Sequence, residues 1–290
     1  PTLEREGLDL FEGFNLPFFK APNAKTIMTI HDVRGFHLEY SGLQKSFFKT
    51  ILSQSLKKVD QVITVSQTIK EEILGYHPES KISVVNNGID IKLFEQLTDH
   101  DLSSVKKKFN LPQKFILAVG HFEIRKNYLR LINAFNKLHI RGLDYSLILI
   151  GSDNGQKKEI ENKIESLKLS GYIKILVGLN DFEVRCAYKL SSLFVFPSTY
   201  EGFGIPILES MAADCPFVLS DIPVFKEITE NKCIYFNPHD DESIALEIEN
   251  VLTKTVERER LISYGKRRVR DFSFQKMASQ LEYLYKLVMK

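Results

Sequence analysis

Two glycines flanked by two carboxylates form the segment of the chain with the clearest chemical potential. They are Glu201, Gly202, Gly204 and Glu209. Glycine lacks a Cβ, so the backbone amides of this loop can approach a ligand closely. A helix is predicted to begin near Pro206, and its N-terminus would add partial positive charge, so a diphosphate would bind well here. Two glycines alone also fit an ordinary tight turn, but the flanking carboxylates favour convergence on one ligand.

Short apolar runs, rich in Val, Ile and Phe, alternate with amphipathic stretches along the chain. They are too short for buried helices and are bounded by turn residues, which is typical of strands covered on both faces. The predicted strands are 26–30, 62–65, 82–85, 115–119, 146–150, 173–177, 193–196 and 217–219.

Helical patterns lie between these strands. Apolar residues recur every three or four positions over 129–138 and 160–167, and Thr68 with Glu71 has the spacing of a capping box. Alternating strands and helices predict an α/β fold built from βαβ units with parallel sheets. Right-handed crossovers would place the carboxyl ends of all strands at one edge, where ligands bind.

Composition and charge narrow the class of protein. The chain has 290 residues, 43% hydrophobic and 26% charged, which is ordinary globular usage and excludes a disordered or collagen-like chain. A net charge of +2 argues against a nucleic-acid partner. The cysteines Cys186, Cys215 and Cys233 have no metal-ligand spacing and fit reduced thiols in a cytoplasmic protein. No signal peptide or run long enough to span a membrane is present.

A polar stretch over 95–108 is the best candidate for a domain boundary. It predicts a first domain at 1–104 and a second α/β domain at 105–275, which carries at least five predicted strands. The first domain has only about three, so it is expected to be incomplete at its front, and the chain begins at Pro1 without a methionine. Asp99 and Asp101 form a D-x-D string in this stretch, but no strand leads into it and no metal role is expected.

Several ordered motifs resemble the retaining glycosyltransferases of family four, which have the GT-B fold. The segment 200–209 (YEGFGIPILE) is similar to the family's E-x7-E signature. Further matches are 119–127 with the first loop of the C-terminal domain, 85–90 with the inter-domain segment, 29–32 with the catalytic loop of the N-terminal domain, and 273–287 with the C-terminal helix. The resemblance implies two Rossmann-like domains facing across a cleft, with 276–290 crossing back to the first.

The same resemblance implies a role for each matching residue. The residues expected to be catalytic are His31, Glu201, Arg125 and Lys126. Those expected to bind the nucleotide-sugar donor are Gly120, Phe203, Gly204, Ile205 and Glu209. In this scheme Glu209 bonds the ribose hydroxyls, Glu201 contacts the donor sugar, and Arg125 and Lys126 hold the diphosphate. No cofactor or metal is expected.

The chain also departs from the family pattern. His121 stands where some members carry an arginine, so Arg125 and Lys126 would neutralise more of the phosphate charge. Asp214 and Cys215 precede Pro216 where many members have a glycine. By this resemblance the sequence is expected to lack the front of the first domain, which in the family carries a glycine-rich loop and much of the acceptor site.

The leading hypothesis is a retaining transferase that moves a hexose, mannose from GDP-mannose favoured, to a hydroxyl of a glycan or lipid-linked acceptor. The alternatives are a non-catalytic nucleotide-sugar-binding remnant or split subunit, and another GT-B enzyme such as a sugar-nucleotide epimerase. The predicted basic amphipathic helix over 43–59 is read as a core-packed helix, with peripheral contact at the inner membrane face as the alternative.

Overall fold

The structure is a computed structural model, and it describes residues 7–14, 23–36 and 42–290. By its internal contacts the chain divides into two units. Unit 1 comprises residues 1–88, 200–203 and 272–290, and unit 2 comprises 89–199 and 204–271. Each unit contains one parallel sheet, as the alternation of strands and helices predicts.

Unit 1 is built on a four-stranded parallel sheet of order β1-β2-β3-β4 among the described residues. The strands are β1 (Leu10–Gly13), β2 (Lys25–Ile30), β3 (Gln61–Thr64) and β4 (Ile82–Val84). Its helices are α1 (Gly42–Leu56), α2 (Gln67–Tyr76) and the C-terminal α12 (Phe274–Val288). The sequence predicts three of these strands and misses β1, whose segment LFEG has only two strongly apolar residues.

The sheet of unit 1 is packed on both faces by residues distant in sequence. One cluster joins Met28 and Ile30 to Leu52 of α1 and Ile69 of α2. The other joins Ile27, Ile63 and Val85 to Leu284 of α12. The last helix is therefore part of the hydrophobic core of unit 1.

The capping box predicted at Thr68 and Glu71 is wrong. Helix α2 begins two residues earlier, and its N-cap is Ser66, whose hydroxyl accepts a hydrogen bond from the Ile69 amide. Serine in an extended conformation directly after a strand satisfies a first-turn amide earlier than Thr68 can.

Unit 2 is built on a six-stranded parallel sheet of order β10-β9-β8-β5-β6-β7. Its strands are β5 (Phe115–Val119), β6 (Ser146–Ile150), β7 (Ile173–Leu176), β8 (Leu193–Phe196), β9 (Phe217–Ser220) and β10 (Tyr235–Phe236). Its helices are α3 (Lys92–Glu95), α4 (Asp99–Lys108), α5 (Tyr128–Ile140), α6 (Lys157–Ser166), α7 (Asp181–Leu190), α8 (Ile205–Ala212), α9 (Pro223–Ile228), α10 (Asp241–Thr253) and α11 (Thr255–Arg268).

The strand order of unit 2 is that of a doubly wound dinucleotide-binding sheet. Successive connections run outward from β5 in one direction and from β8 in the other, and these two strands are neighbours. The crevice beyond the carboxyl ends of such a pair is where ligands of this fold class bind. The fold therefore directs attention to the loops after β5 and β8.

The division between the units differs from the predicted boundary after residue 104. The polar stretch is helical rather than a linker, because Thr98 and Asp101 form a reciprocal capping box that starts α4. Helix α4 then joins unit 2 through buried Val105 and through Lys108, whose ammonium lies 2.6 Å from Glu183 of α7. Within the D-x-D string, the Asp101 carboxylate accepts hydrogen bonds from the backbone and hydroxyl of Thr98 and so has a structural role.

No helix among the described residues is long and apolar enough to cross a membrane. Helix α1 buries Leu52 and Leu56 but leaves Leu43 86% and Phe47 69% exposed. It is therefore packed at one end and open at the other.

Candidate functional site

The loop after β5 is a tight turn whose shape depends on two glycines. Gly120 has a φ of +148°, a conformation that L side chains rarely adopt. Gly151, which follows β6, approaches it so closely that a Cβ on Gly151 would lie 2.0 Å from the Gly120 carbonyl oxygen. The loop continues through an exposed His121, whose Nδ1 lies 2.5 Å from the Ser152 hydroxyl, and ends in a 3₁₀ turn at Ile124–Lys126.

Lys126 is buried at the carboxyl edge of the sheet, with 6% of its surface exposed. Its ammonium lies 4.9 Å from the centre of the Phe196 ring, at the end of β8. It also lies against Gly120, where a Cβ would come within 3.2 Å of Nζ. The lysine thus stands between the ends of β5 and β8, which is the crevice that the strand order indicates.

Arg125 is paired within the same loop. Its guanidinium lies 2.6 Å from the Glu123 carboxylate, and both side chains are nearly buried, at 12% and 13% exposure. The two charges largely cancel. To contact a phosphate, the Arg125 guanidinium would have to bind it while still paired with the Glu123 carboxylate. Its predicted role as a phosphate ligand stays a prediction.

Asn127 holds the two loops together, and sequence reasoning missed it. It adopts a left-handed conformation with φ of 59°, which asparagine tolerates better than most residues. Its side-chain amide donates to the carbonyl oxygens of Pro197 at 3.0 Å and Pro238 at 2.7 Å. The Thr199 amide donates to the Arg125 carbonyl at 2.8 Å. Asparagine is one of the few residues besides glycine that adopt the left-handed conformation, so its position directly before a helix could have predicted this turn.

The N-terminus of α8 has no side-chain cap. Its cap is Gly204, which has no side chain to occupy the first-turn amides, and the first turn carries no acidic residue. Gly204 has a φ of +134°, and a Cβ there would lie 3.0 Å from Ile207. Ile205 is 44% exposed at the start of the helix. This end of the helix therefore keeps its partial positive charge, which favours an anion.

Glu209 is half-buried in the second turn of α8. Burial raises the pKa of its carboxyl, and the Asp181 carboxylate adds to this, whereas Tyr188 and Arg185 of α7 act in the opposite direction. The Tyr188 hydroxyl is fully buried and makes no hydrogen bond of normal geometry within the described part of the chain. It is therefore a near neighbour of Glu209 and not a formed pair with it.

His31 follows β2 in unit 1. Its ring stacks on Phe14 with centres 6.3 Å apart, and it lines a pocket of about 520 Å³ together with Thr29, Asp32 and Phe47. The pocket lies at the carboxyl end of the unit 1 sheet, where its ligands are expected.

Glu201 and Phe203 belong to unit 1 by their contacts, although the neighbouring residues on both sides belong to unit 2. The predicted site residues therefore divide between the units. His31, Glu201 and Phe203 lie in unit 1, and unit 2 holds Gly120, Arg125, Lys126, Gly204, Ile205 and Glu209. The structure brings Gly120 and Lys126 together at the end of β5, with Lys126 reaching the end of β8, from which the chain continues to α8.

Family models match both parts of the chain. Residues 99–268 match the glycosyl transferases group 1 model, and residues 3–93 match the Glycosyltransferase Family 4 model. The first match alone covers more than half of the chain. The chain belongs to this glycosyltransferase family.

Two curated relatives are mannosyltransferases of O-antigen chains. The chain is 33% identical to O-antigen chain mannosyltransferase RfbU of Salmonella typhimurium over 77% of its own length and 60% of that protein. It is 26% identical to O-antigen chain mannosyltransferase B of Escherichia coli over 94% of its own length and 73% of that protein. The chain thus spans less than two thirds of the length of RfbU.

Solved structures show the same fold. Sucrose-phosphate synthase from Thermosynechococcus elongatus superposes with a TM-score of 0.83 at 21% identity, covering 99% of this chain and 75% of that one. Anabaena HepE in complex with UDP superposes with a TM-score of 0.77 at 19% identity, covering 91% and 72%. Two Rossmann-like domains of GT-B type are thereby confirmed as the fold class.

Proposed function

We propose that the protein is a retaining glycosyltransferase that moves a hexose from a nucleoside-diphosphate sugar to a hydroxyl of a glycan or lipid-linked acceptor. Family membership supports the class of reaction. The relatives named as O-antigen chain mannosyltransferases favour mannose as the sugar and a polysaccharide as the product.

The observation that carries the proposal is the position of Lys126 between the ends of β5 and β8, at the switch point of unit 2. A buried ammonium beside the ends of β5 and β8, and a helix N-terminus without an acidic cap, are both suited to a diphosphate. When the sugar leaves, negative charge builds on the phosphate oxygens. A fixed cation in a desolvated position stabilises that charge without reorganising.

The proposed reaction breaks the bond between the anomeric carbon and the phosphate oxygen and forms a bond between that carbon and the acceptor oxygen. The acceptor proton passes to an oxygen of the departing phosphate on the same face, which accounts for retention. No carboxylate is needed as a nucleophile, and the proposal assigns no step to a metal.

The other residues bind and orient the substrates. Glu209 would accept hydrogen bonds from the ribose hydroxyls, most strongly when its carboxyl is ionised. Glu201 would contact hydroxyls of the donor sugar, and His31 would lie beside the reacting carbon. The amides near Gly204 would face the phosphates. Each of these roles is carried over from the family motif to the matching residue.

GDP-mannose is the proposed donor, and UDP-hexoses are the competing donors. The relatives named as mannosyltransferases favour a mannose donor, whereas the solved HepE complex contains UDP. The proposed location is the cytoplasm, with peripheral contact at the inner membrane face through α1 as an alternative. No nucleic-acid partner is proposed.

A transfer assay with the purified chain tests the proposal. GDP-mannose and UDP-glucose are supplied separately with lipid-linked and soluble glycan acceptors, and the product is analysed for sugar and anomeric configuration. An α-linked mannosyl product from GDP-mannose supports it, and an inverted product contradicts the retaining mechanism. Nucleotide binding without transfer to any acceptor favours the binding-only alternative.

A further inference from the structure

The four residues Tyr200–Phe203 are held by unit 1 at three points. They include Glu201, the proposed donor-sugar contact, and they lie between strand β8 and helix α8 in sequence. The contacts that hold them come from the loop after β2, from α2 and its cap, and from the segment before α12. Each contact joins residues more than 60 positions apart.

The first point is the Tyr200 hydroxyl. It accepts a hydrogen bond from the Val33 amide at 3.2 Å and donates one to Oε2 of Glu72 at 3.1 Å. Burial and the Glu72 carboxylate raise the pKa of Tyr200 far above its usual range. The hydroxyl therefore keeps its proton around neutral pH and donates it to Glu72.

The second point is the backbone of Gly202. Its carbonyl accepts a hydrogen bond from the Ser66 hydroxyl at 2.8 Å, and the same hydroxyl caps α2. A Cβ on Gly202 would lie 1.8 Å from the His31 carbonyl oxygen and 3.0 Å from the Asp32 Cβ. The segment therefore lies directly against the backbone of His31, and only glycine allows that approach.

The third point is Phe203. Its side chain is buried, with 4% exposed, and packs edge-on against Phe272 with ring centres 5.9 Å apart. Fixed residues thus stand on both sides of Glu201. Its backbone is set by the same unit that carries His31.

We propose that Tyr200 is a positioning residue that sets Glu201 relative to His31 through its bonds to Val33 and Glu72. This inference rests on the proposed function for the roles of Glu201 and His31. Two groups that act on one reacting carbon must be held to within about 0.5 Å of their productive geometry. A displacement of about 1 Å at such a site costs about a hundredfold in rate.

The test is Tyr200→Phe in the full chain, which removes the hydroxyl and keeps the ring. We expect kcat for transfer to fall about 10- to 100-fold. The Kd for free nucleoside diphosphate should not change, because its proposed ligands Lys126 and Glu209 lie in unit 2. Tyr283→Phe, on the exposed face of α12, is the matched control and should leave both quantities unchanged.

Substitutions of Glu72 test the same hydrogen bond from its acceptor. Glu72→Gln keeps an acceptor and should retain most of the transfer rate, whereas Glu72→Ala should lose more than Glu72→Gln and no more than Tyr200→Phe, which removes both hydrogen bonds. The double variant with Tyr200→Phe and Glu72→Ala should be no slower than Tyr200→Phe alone, because the bond to Glu72 is already absent there. Additive losses, an unchanged rate in Tyr200→Phe, or an equal loss of nucleotide affinity would each overturn the inference.

Hydrogen exchange separates this inference from the proposed function. In Tyr200→Phe the amides of Val33 and Gly202 should exchange faster than in the wild type, whether or not the protein transfers a sugar. If the wild type transfers nothing but exchange accelerates as expected, the proposed function fails and the anchoring of the segment stands. Unchanged exchange at both amides contradicts the anchoring itself.

Discussion

Replacing Lys126 by methionine isolates the charge that the proposed diphosphate site depends on. The methionine stem can keep the contacts with Phe196 and Gly120 while the ammonium is removed. Losing a cation over an aromatic ring costs about 0.5–2 kcal/mol. The side chain is only 6% exposed, so thermal unfolding of the variant measures the cost of the change to the fold.

The expected loss is in binding of the diphosphate. A charge-assisted hydrogen bond contributes about 1.5–3 kcal/mol, which corresponds to about a 10- to 150-fold increase in Kd. Arg125 cannot fully compensate, because its guanidinium is already paired with Glu123 at 2.6 Å. Nucleoside binding should be almost unchanged, since it lacks the phosphates that Lys126 would contact.

Titration calorimetry with nucleoside and nucleoside diphosphate, in low and high salt, measures both quantities. Lys158→Ala, an exposed residue of α6, is the control for a general loss of positive charge. High salt should reduce the difference only modestly, because a buried charge is screened less than an exposed one. Equal losses for both ligands would indicate a folding defect, and no loss for either would refute the assignment of Lys126.

Four further predictions concern Glu209, His31 and Gly202. Glu209→Ala should raise the Kd for nucleotide by about one to two decades by calorimetry. In the wild type, nucleotide affinity should fall as pH is lowered towards the pKa of Glu209, which burial raises, because the ionised carboxylate accepts from ribose hydroxyls more strongly than the protonated acid does. His31→Ala should lose transfer while its affinity for free nucleotide stays near normal, and retained transfer would contradict its role. Gly202→Ala should destabilise the protein by at least about 1–3 kcal/mol in thermal unfolding, because its Cβ would lie 1.8 Å from a carbonyl oxygen, whereas the control Gly75→Ala, with open space around it, should not.

Much of the fold could be predicted because strong local signals agree with the final structure. β5 was predicted at its observed bounds, since FILAV is a continuous apolar run between polar residues. β10 was missed because two residues, Tyr235 and Phe236, carry no periodicity. The amphipathic spacing of α5 and α6 likewise reflects the buried faces of those helices.

The site was less predictable because its geometry depends on distant residues. Nothing local to Tyr200 indicates that its hydroxyl meets Glu72, which lies 128 positions away. The pairing of Arg125 with Glu123 could have been suspected from their spacing, but their shared burial could not. Motif resemblance named Glu201, whereas only the contacts show that its segment belongs to unit 1.

The contribution of α12 to the core of unit 1 has a consequence for synthesis on the ribosome. Leu284 packs with Ile27 and Val85, yet nearly two hundred residues separate α12 from β4, and most of them form unit 2. At translation rates of about 5–20 residues per second, α12 is synthesised about 10–40 seconds after the strands of the unit 1 sheet. During that interval the face that α12 will cover is exposed to solvent and to chaperones. Unit 2 is almost contiguous in sequence, so it can fold while the nascent chain is still being extended.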